Sequence, residues 1–203
     1  MCPGAMTFPL FRRAACAAFA PLLMIAACSA PAPAPPLADA RIGGPLMLTT
    51  QDGQRLTDAD LAGKYRLIYF GYSYCPDVCP VDLQNLMAGF AALEKSDPAV
   101  AARIQPIFVS IDPARDTPAQ LKTYVRAFHP RLIGLTGTDA EIARVAKDYA
   151  VFYQREGKPG AADYLMNHSR IAYLMGPDGK PIALAPHDAK PEAIAAELKQ
   201  WVR

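Results

Sequence analysis

The chain has 203 residues, with 21 basic against 19 acidic side chains and a formal net charge of +2. That length supports one substantial domain with its own core and some attached non-globular sequence. Near-balanced charge leaves no basic footprint of the kind that binds nucleic acid.

The start of the chain reads as a targeting signal. Arg12 and Arg13 precede an apolar run over 14–27, long enough for the core of a signal peptide and short for a spanning helix. Its end, Ile25-Ala26-Ala27-Cys28, resembles a bacterial lipobox, in which the cysteine is lipidated and becomes the first mature residue. The alternative is an ordinary signal peptide cut at a small-residue site, with Cys28 a bystander. Under the lipobox reading Cys2 and Cys16 leave with residues 1–27 and Cys28 is acylated, so of five cysteines only Cys75 and Cys79 stay free. Loss of the two arginines also takes the charge from +2 to zero. Residues 28–44 then form a lipid-anchored spacer: the stretch SAPAPAPP at 29–36 favours extended polyproline II and builds no core. The globular domain is expected over 45–203.

Within it the elements alternate. The pattern predicts strands over 46–50 and 67–71, with Gln51-Asp52-Gly53 a turn after the first. A helix is expected over 82–96, where Leu83, Leu86, Met87, Phe90 and Leu93 recur at helical spacing, and a buried strand over 104–111. Thr117 to Gln120 and Thr138 to Glu141 both match a capping box, in which the hydroxyl and the later side chain satisfy free N–H groups reciprocally. Short strands are expected over 132–135 and 151–154. Strands over 169–174 and 181–184 flank the turn sequence GPDG at 176–179, and a closing amphipathic helix runs over 191–202. This order implies an α/β fold: a thioredoxin-like mixed β-sheet, parallel at the crossovers and antiparallel at the hairpin, flanked by helices in a single domain.

The chemistry concentrates in GYSYCPDVCP at 71–80, between a buried strand and a helix start. A structural disulfide between Cys75 and Cys79 would close so short a loop that it constrains the unfolded chain little. A redox pair fits the helix N-terminus, which favours a thiolate, although the usual spacing is Cys-x-x-Cys and the third residue on is Val78. Peroxiredoxins carry Thr or Ser three residues before the attacking cysteine, and here Tyr72 and Pro76 stand there. Metal binding uses the spacing well: positions four apart on a helix-like turn face the same way, and thiolates select soft ions such as copper(I) or zinc. Zinc asks for four ligands, whereas copper(I) accepts three.

Three histidines can add to the pair. His129 reads as a structural residue at a helix end, and His187 as solvated in a loop. His168 precedes the strand expected at 169, where a thioredoxin-like sheet brings a loop beside the cysteines.

These residues resemble the Sco/SenC family of copper-binding proteins. The resemblance rests on GYSYCPDVCP at 71–80, SIDPARDTP at 110–118, GLTG at 134–137 and NHSRIAYL at 167–174 followed by GPDG, pieces that are collinear and span nearly the whole globular part. It implies that Cys75, Cys79 and His168 bind copper, as Cu(I), Cu(II) or both. It also implies that Cys75 and Cys79 can form a redox disulfide, and that the domain is thioredoxin-like, tethered at the membrane and held on the periplasmic side of a bacterial envelope. The implied activity is delivery of copper to the CuA centre in subunit II of cytochrome c oxidase, with thiol–disulfide reduction of that centre's cysteines as the alternative. A thiol reductase and another copper chaperone are the further implied partners. One departure stands out: many members have Asp before the metal-binding histidine, and this chain has Asn167. A carboxylate there could orient the imidazole. Asp112, Arg115 and Asp116 read as a loop held by ion pairing.

Overall fold

The structure is a computed structural model that describes Met1, Gly4 and residues 33–158 and 163–203. The signal segment and Cys28 lie outside the described residues apart from Met1 and Gly4. Contacts divide the chain into two units, Met1–Pro33 and Ala34–Arg203, and every helix and strand of the described residues belongs to the second.

The elements in order are β1 (Met47–Thr50), β2 (Arg55–Thr57), a 3-10 turn (Asp58–Leu61), β3 (Tyr65–Gly71), α1 (Val78–Ser96), α2 (Pro98–Ala102), β4 (Ile104–Ser110), α3 (Pro118–Arg126), β5 (Ile133–Thr136), α4 (Asp139–Asp148), β6 (Tyr153–Glu156), β7 (Leu165–His168), β8 (Ala172–Met175), β9 (Pro181–Leu184) and α5 (Pro191–Trp201). Seven strands form one sheet in the order β2-β1-β5-β4-β3-β8-β9. The pairs β3/β4 and β4/β5 are parallel and the rest antiparallel. This is the mixed, thioredoxin-like sheet that the element order implies. Among the described residues, strands β6 and β7 pair only with each other, in a two-stranded sheet of their own.

The central strands explain the core. Every residue of β3 is buried, as is expected where helices cover both faces. On one face Tyr69 stacks on Phe108 with ring centroids 6.4 Å apart, and Phe108 meets Tyr124 of α3 at 5.3 Å. Helix α1 lies on the same face, where its Asp82 accepts a hydrogen bond from the Tyr69 hydroxyl. On the other face Phe70 packs against Tyr149, which caps α4, and against Tyr173 of β8. Helices α1 and α5 approach closely because position 89 is glycine: a Cβ there would sit 2.5 Å from the Ile194 side chain.

Several boundaries differ from the sequence pattern for physical reasons. Helix α1 starts at Val78, four residues before the expected 82, because Pro80 falls in the first turn, where a missing N–H leaves nothing unpaired. Thr117 caps α3 by accepting from the Gln120 N–H, but the Gln120 side chain donates to Ser73 Oγ instead of reaching back, so this is half a capping box. The Thr138 and Glu141 box is complete. The strand expected over 151–154 is β6, two residues further on, and β8 begins at 172 because residues 165–168 form the unforeseen β7. Residues 37–44, assigned by composition to the spacer, touch the domain: the Leu37 N–H donates to the Ile182 carbonyl and the Gly43 N–H to that of Asp148.

Candidate metal centre

The loop leaving β3 is fixed from below. Ser73 donates to the buried Asp116 through its N–H at 3.0 Å and its hydroxyl at 2.5 Å, and Ser110 adds a second hydroxyl at 2.5 Å. Burial pushes the Asp116 carboxyl above its ordinary range, although those donors pull the other way. Arg115 pairs with Asp112 at 2.5 Å and lies over the rings of Tyr164, Tyr74 and Tyr72 at 3.6, 4.9 and 5.6 Å. Among the described residues the loop between β4 and α3 is thus held by one ion pair, Asp112 with Arg115, whereas Asp116 acts by accepting from serines and not by the ion pairing the sequence suggested.

Cys75 is partly exposed at the end of this loop, and Cys79 is fully buried in the first turn of α1. The Cys79 N–H points at Cys75 Sγ at 3.4 Å. Gly71 backs the pair, since a Cβ there would lie 3.0 Å from Cys79 Sγ. The two thiols are electrostatically unlike. Hydrogen bonding from Cys79 brings Cys75 down to about 3, with the helix-end N–H groups of Cys79 and Asp77 adding to the effect against burial. Cys79 is pushed far up by its neighbour Cys75 and by burial. Of the two thiols, Cys75 is thus the readier to ionise.

His168 arrives from the opposite side, as the last residue of β7, across from Tyr153. Its Nε2 is 3.1 Å from Cys79 Sγ, and its Nδ1 is 2.9 Å from the Ser169 carbonyl. A carbonyl only accepts, so Nδ1 carries the proton and Nε2 presents its lone pair to the thiols. The Tyr72 ring meets the imidazole edge-on at 5.9 Å. The two Sγ atoms and the imidazole nitrogen all lie within 4.8 Å of one another. Cys75 and His168 line a cleft of about 490 Å³ whose walls include Tyr72, Pro76, Met166 and Asn167, and the buried Cys79 lies behind them. A cleft of about 550 Å³ elsewhere, lined in part by Gly43, Asp58 and Arg66, contains none of the three donors.

The structure therefore brings together Cys75, Cys79 and His168 and keeps the other histidines apart. His129 is buried, with Nε2 3.1 Å from Glu94 and its ring against Phe90, in keeping with a structural role. His187 is not solvated as the sequence suggested: it stands with Nδ1 3.3 Å from Asp82 and Nε2 3.1 Å from the Arg170 carbonyl. Asn167 is exposed, and the orienting acceptor for His168 is main-chain, so no carboxylate at 167 is needed for that task.

Sequence reasoning missed Asp82 and Arg170. Asp82 is fully buried three residues after Cys79 and receives Arg170 Nε at 3.0 Å, Arg170 Nη2 at 2.6 Å and the Tyr69 hydroxyl at 2.9 Å. Burial alone would raise its carboxyl, but the hydrogen bonds from Arg170 and Tyr69 bring it below the usual range. A signal existed: position 82 lies on the stripe that includes 79, 83, 86 and 90, so a carboxylate there had to be buried and partnered.

The SCO1/SenC family model matches residues 34–203. The human mitochondrial SCO1 homologue is 40% identical over 162 residues, which cover 80% of this chain and 53% of that protein, so the chain spans about half the length of that relative. The structure of Bradyrhizobium japonicum ScoI with copper bound is 42% identical with a TM-score of 0.71, covering 79% of this chain and 99% of that one. A more distant solved structure is BsSco, described as a member of the Sco family of cytochrome c oxidase assembly proteins with a disulfide switch. It is 26% identical with a TM-score of 0.55, over 77% of this chain and 90% of its own. On the extent of the family match and of these identities, the chain belongs to the SCO1/SenC family.

Proposed function

We propose that this chain is a copper metallochaperone that holds one ion through Cys75, Cys79 and His168 and hands it to the CuA site of cytochrome c oxidase subunit II. The observation that carries the reading is the convergence of two sulfurs and an imidazole nitrogen within 4.8 Å, with Cys75 and His168 lining a cleft. That donor set is soft and numbers three, which suits copper(I) and leaves zinc one ligand short. An open mouth lets an acceptor's ligands replace these one at a time. Transfer is then ligand exchange with no change in the ion's charge.

The reading extends to the cell. Cys28 is proposed as the lipidated residue and 1–27 as the removed signal, which would stand the domain in the periplasm at the end of its proline-rich spacer. An oxidising compartment would join Cys75 to Cys79, so a thiol reductase is a required partner, and another copper chaperone is the natural donor. Copper(I) titration of the reduced chain tests the site. One ion per chain is expected, and tight binding should be lost in Cys75→Ser, Cys79→Ser and His168→Ala alike. Retention of tight binding in His168→Ala would defeat the reading.

A thiol–disulfide oxidoreductase is the second reading, favoured by the unequal thiols: Cys75 is poised as a thiolate and Cys79 as the proton-bearing partner. In that reaction a client disulfide gains two electrons and becomes two thiols, taking one proton from Cys79 and one from water, while Cys75 and Cys79 lose the electrons and become one disulfide. His168→Ala would leave such an activity largely intact.

A further inference from the structure

The three donors come from two separate pieces of the fold. Cys79 belongs to α1, packed on the main sheet, whereas His168 ends a hairpin that pairs with no strand of that sheet. A covalent route from one to the other runs through 89 residues. The chain rejoins the main sheet four residues after His168, at Ala172 of β8, and between the two the side chain two residues beyond His168 reaches directly onto the cysteine helix. Arg170 forks onto both oxygens of Asp82, with Nη2 at 2.6 Å from Oδ1 and Nε at 3.0 Å from Oδ2. Asp82 cannot yield, because its side chain is 1% exposed and is braced from β3 by the Tyr69 hydroxyl.

We infer that Arg170 is a positioning residue: by gripping Asp82 it clamps the segment carrying His168 onto α1 and holds the imidazole over the cysteine pair. A two-point fork fixes direction as well as distance, which a single-point contact does not. His187 closes the clamp from the β9–α5 connection. Its Nε2 faces the Arg170 carbonyl at 3.1 Å, and its own carbonyl accepts from Asn85 of α1 at 3.1 Å. The segment is therefore tied to α1 through both the side chain and the backbone of Arg170. Only the copper arm of the test rests on the carrier reading.

The test uses the whole reduced chain with Arg170→Gln, which keeps bulk and removes the charged fork. Amide hydrogen exchange without metal is expected to rise about ten-fold over 165–171 while 78–96 keep their protection. Copper(I) competition is expected to show about ten-fold weaker binding, the worth of one charged contact, with no further loss when Arg170→Gln is added to His168→Ala. Arg170→Lys should fall between, having charge but no fork. Asp82→Asn, which weakens the clamp from the helix side, should loosen the same 165–171 amides. Unchanged exchange at 165–171, exchange rising equally through the domain, or the same affinity loss with and without His168 would each overturn the clamp. If the native chain takes up no copper, the carrier reading fails and the exchange result alone decides the clamp.

Discussion

The thiols and the imidazole are carried by unlike parts of the molecule. Cys79 stands at the junction of β3 and α1, where the strand is buried throughout, Gly71 leaves space for one sulfur, and α5 locks the helix from outside. His168 stands on a hairpin whose β6 strand is mostly exposed and whose β7 strand alternates exposed and half-buried residues. The junction is held by apolar packing with a few buried hydrogen bonds, and the hairpin by hydrogen bonds at its edges and by the Arg170–Asp82 ion pair just beyond it. A site divided in this way keeps two donors fixed while the third depends on contacts that can be broken singly.

The contrast can be broken hardest on the rigid side. Gly89→Val places its Cβ 2.5 Å from the Ile194 side chain, and the loss of α1–α5 packing is expected to cost about 3 kcal/mol, read as a lower urea midpoint at unchanged slope. Gly71→Ala is milder, with contacts at 3.0 Å to Cys79 Sγ and to the Tyr69 ring. It should cost about 1 kcal/mol and displace Cys79, so weaker copper(I) binding is expected alongside. Reactivity sharpens the contrast between the thiols. With Cys75 brought down to about 3, its alkylation by iodoacetamide should stay nearly level from pH 8 to pH 5, whereas an ordinary thiol slows about ten-fold per unit. Mass spectrometry should find the label on Cys75 and not on buried Cys79, and a steep fall in rate towards pH 5 would contradict the assignment. The smallest effect belongs to the hairpin surface: Asn167→Ala, at an exposed position, is expected to shift stability by no more than about 0.5 kcal/mol and to leave His168 oriented.

Much of this was readable in the amino-acid order where burial is strong. The apolar runs of β3 and β4 and the 3.6-residue stripe of α1 announce themselves because their surroundings are apolar on every side. The cysteine pair and His168 could be singled out by donor type and by proximity to a strand end. Strand β7 could not: LMNH has neither a continuous apolar run nor strong β-formers, and its pairing with YQRE is set by neighbours distant in sequence. His187 was misjudged for the same reason, since its loop looks polar and only the fold shows Asp82 beneath it. Arg170 and Asp82 lie 88 residues apart and carry no spacing by which either names the other.

Because Cys79 is fully buried while Cys75 and His168 line the cleft, anything arriving from solvent meets the thiols in a set order. An ion or reagent reaches Cys75 and His168 first and the inner sulfur last, and departure runs the other way round.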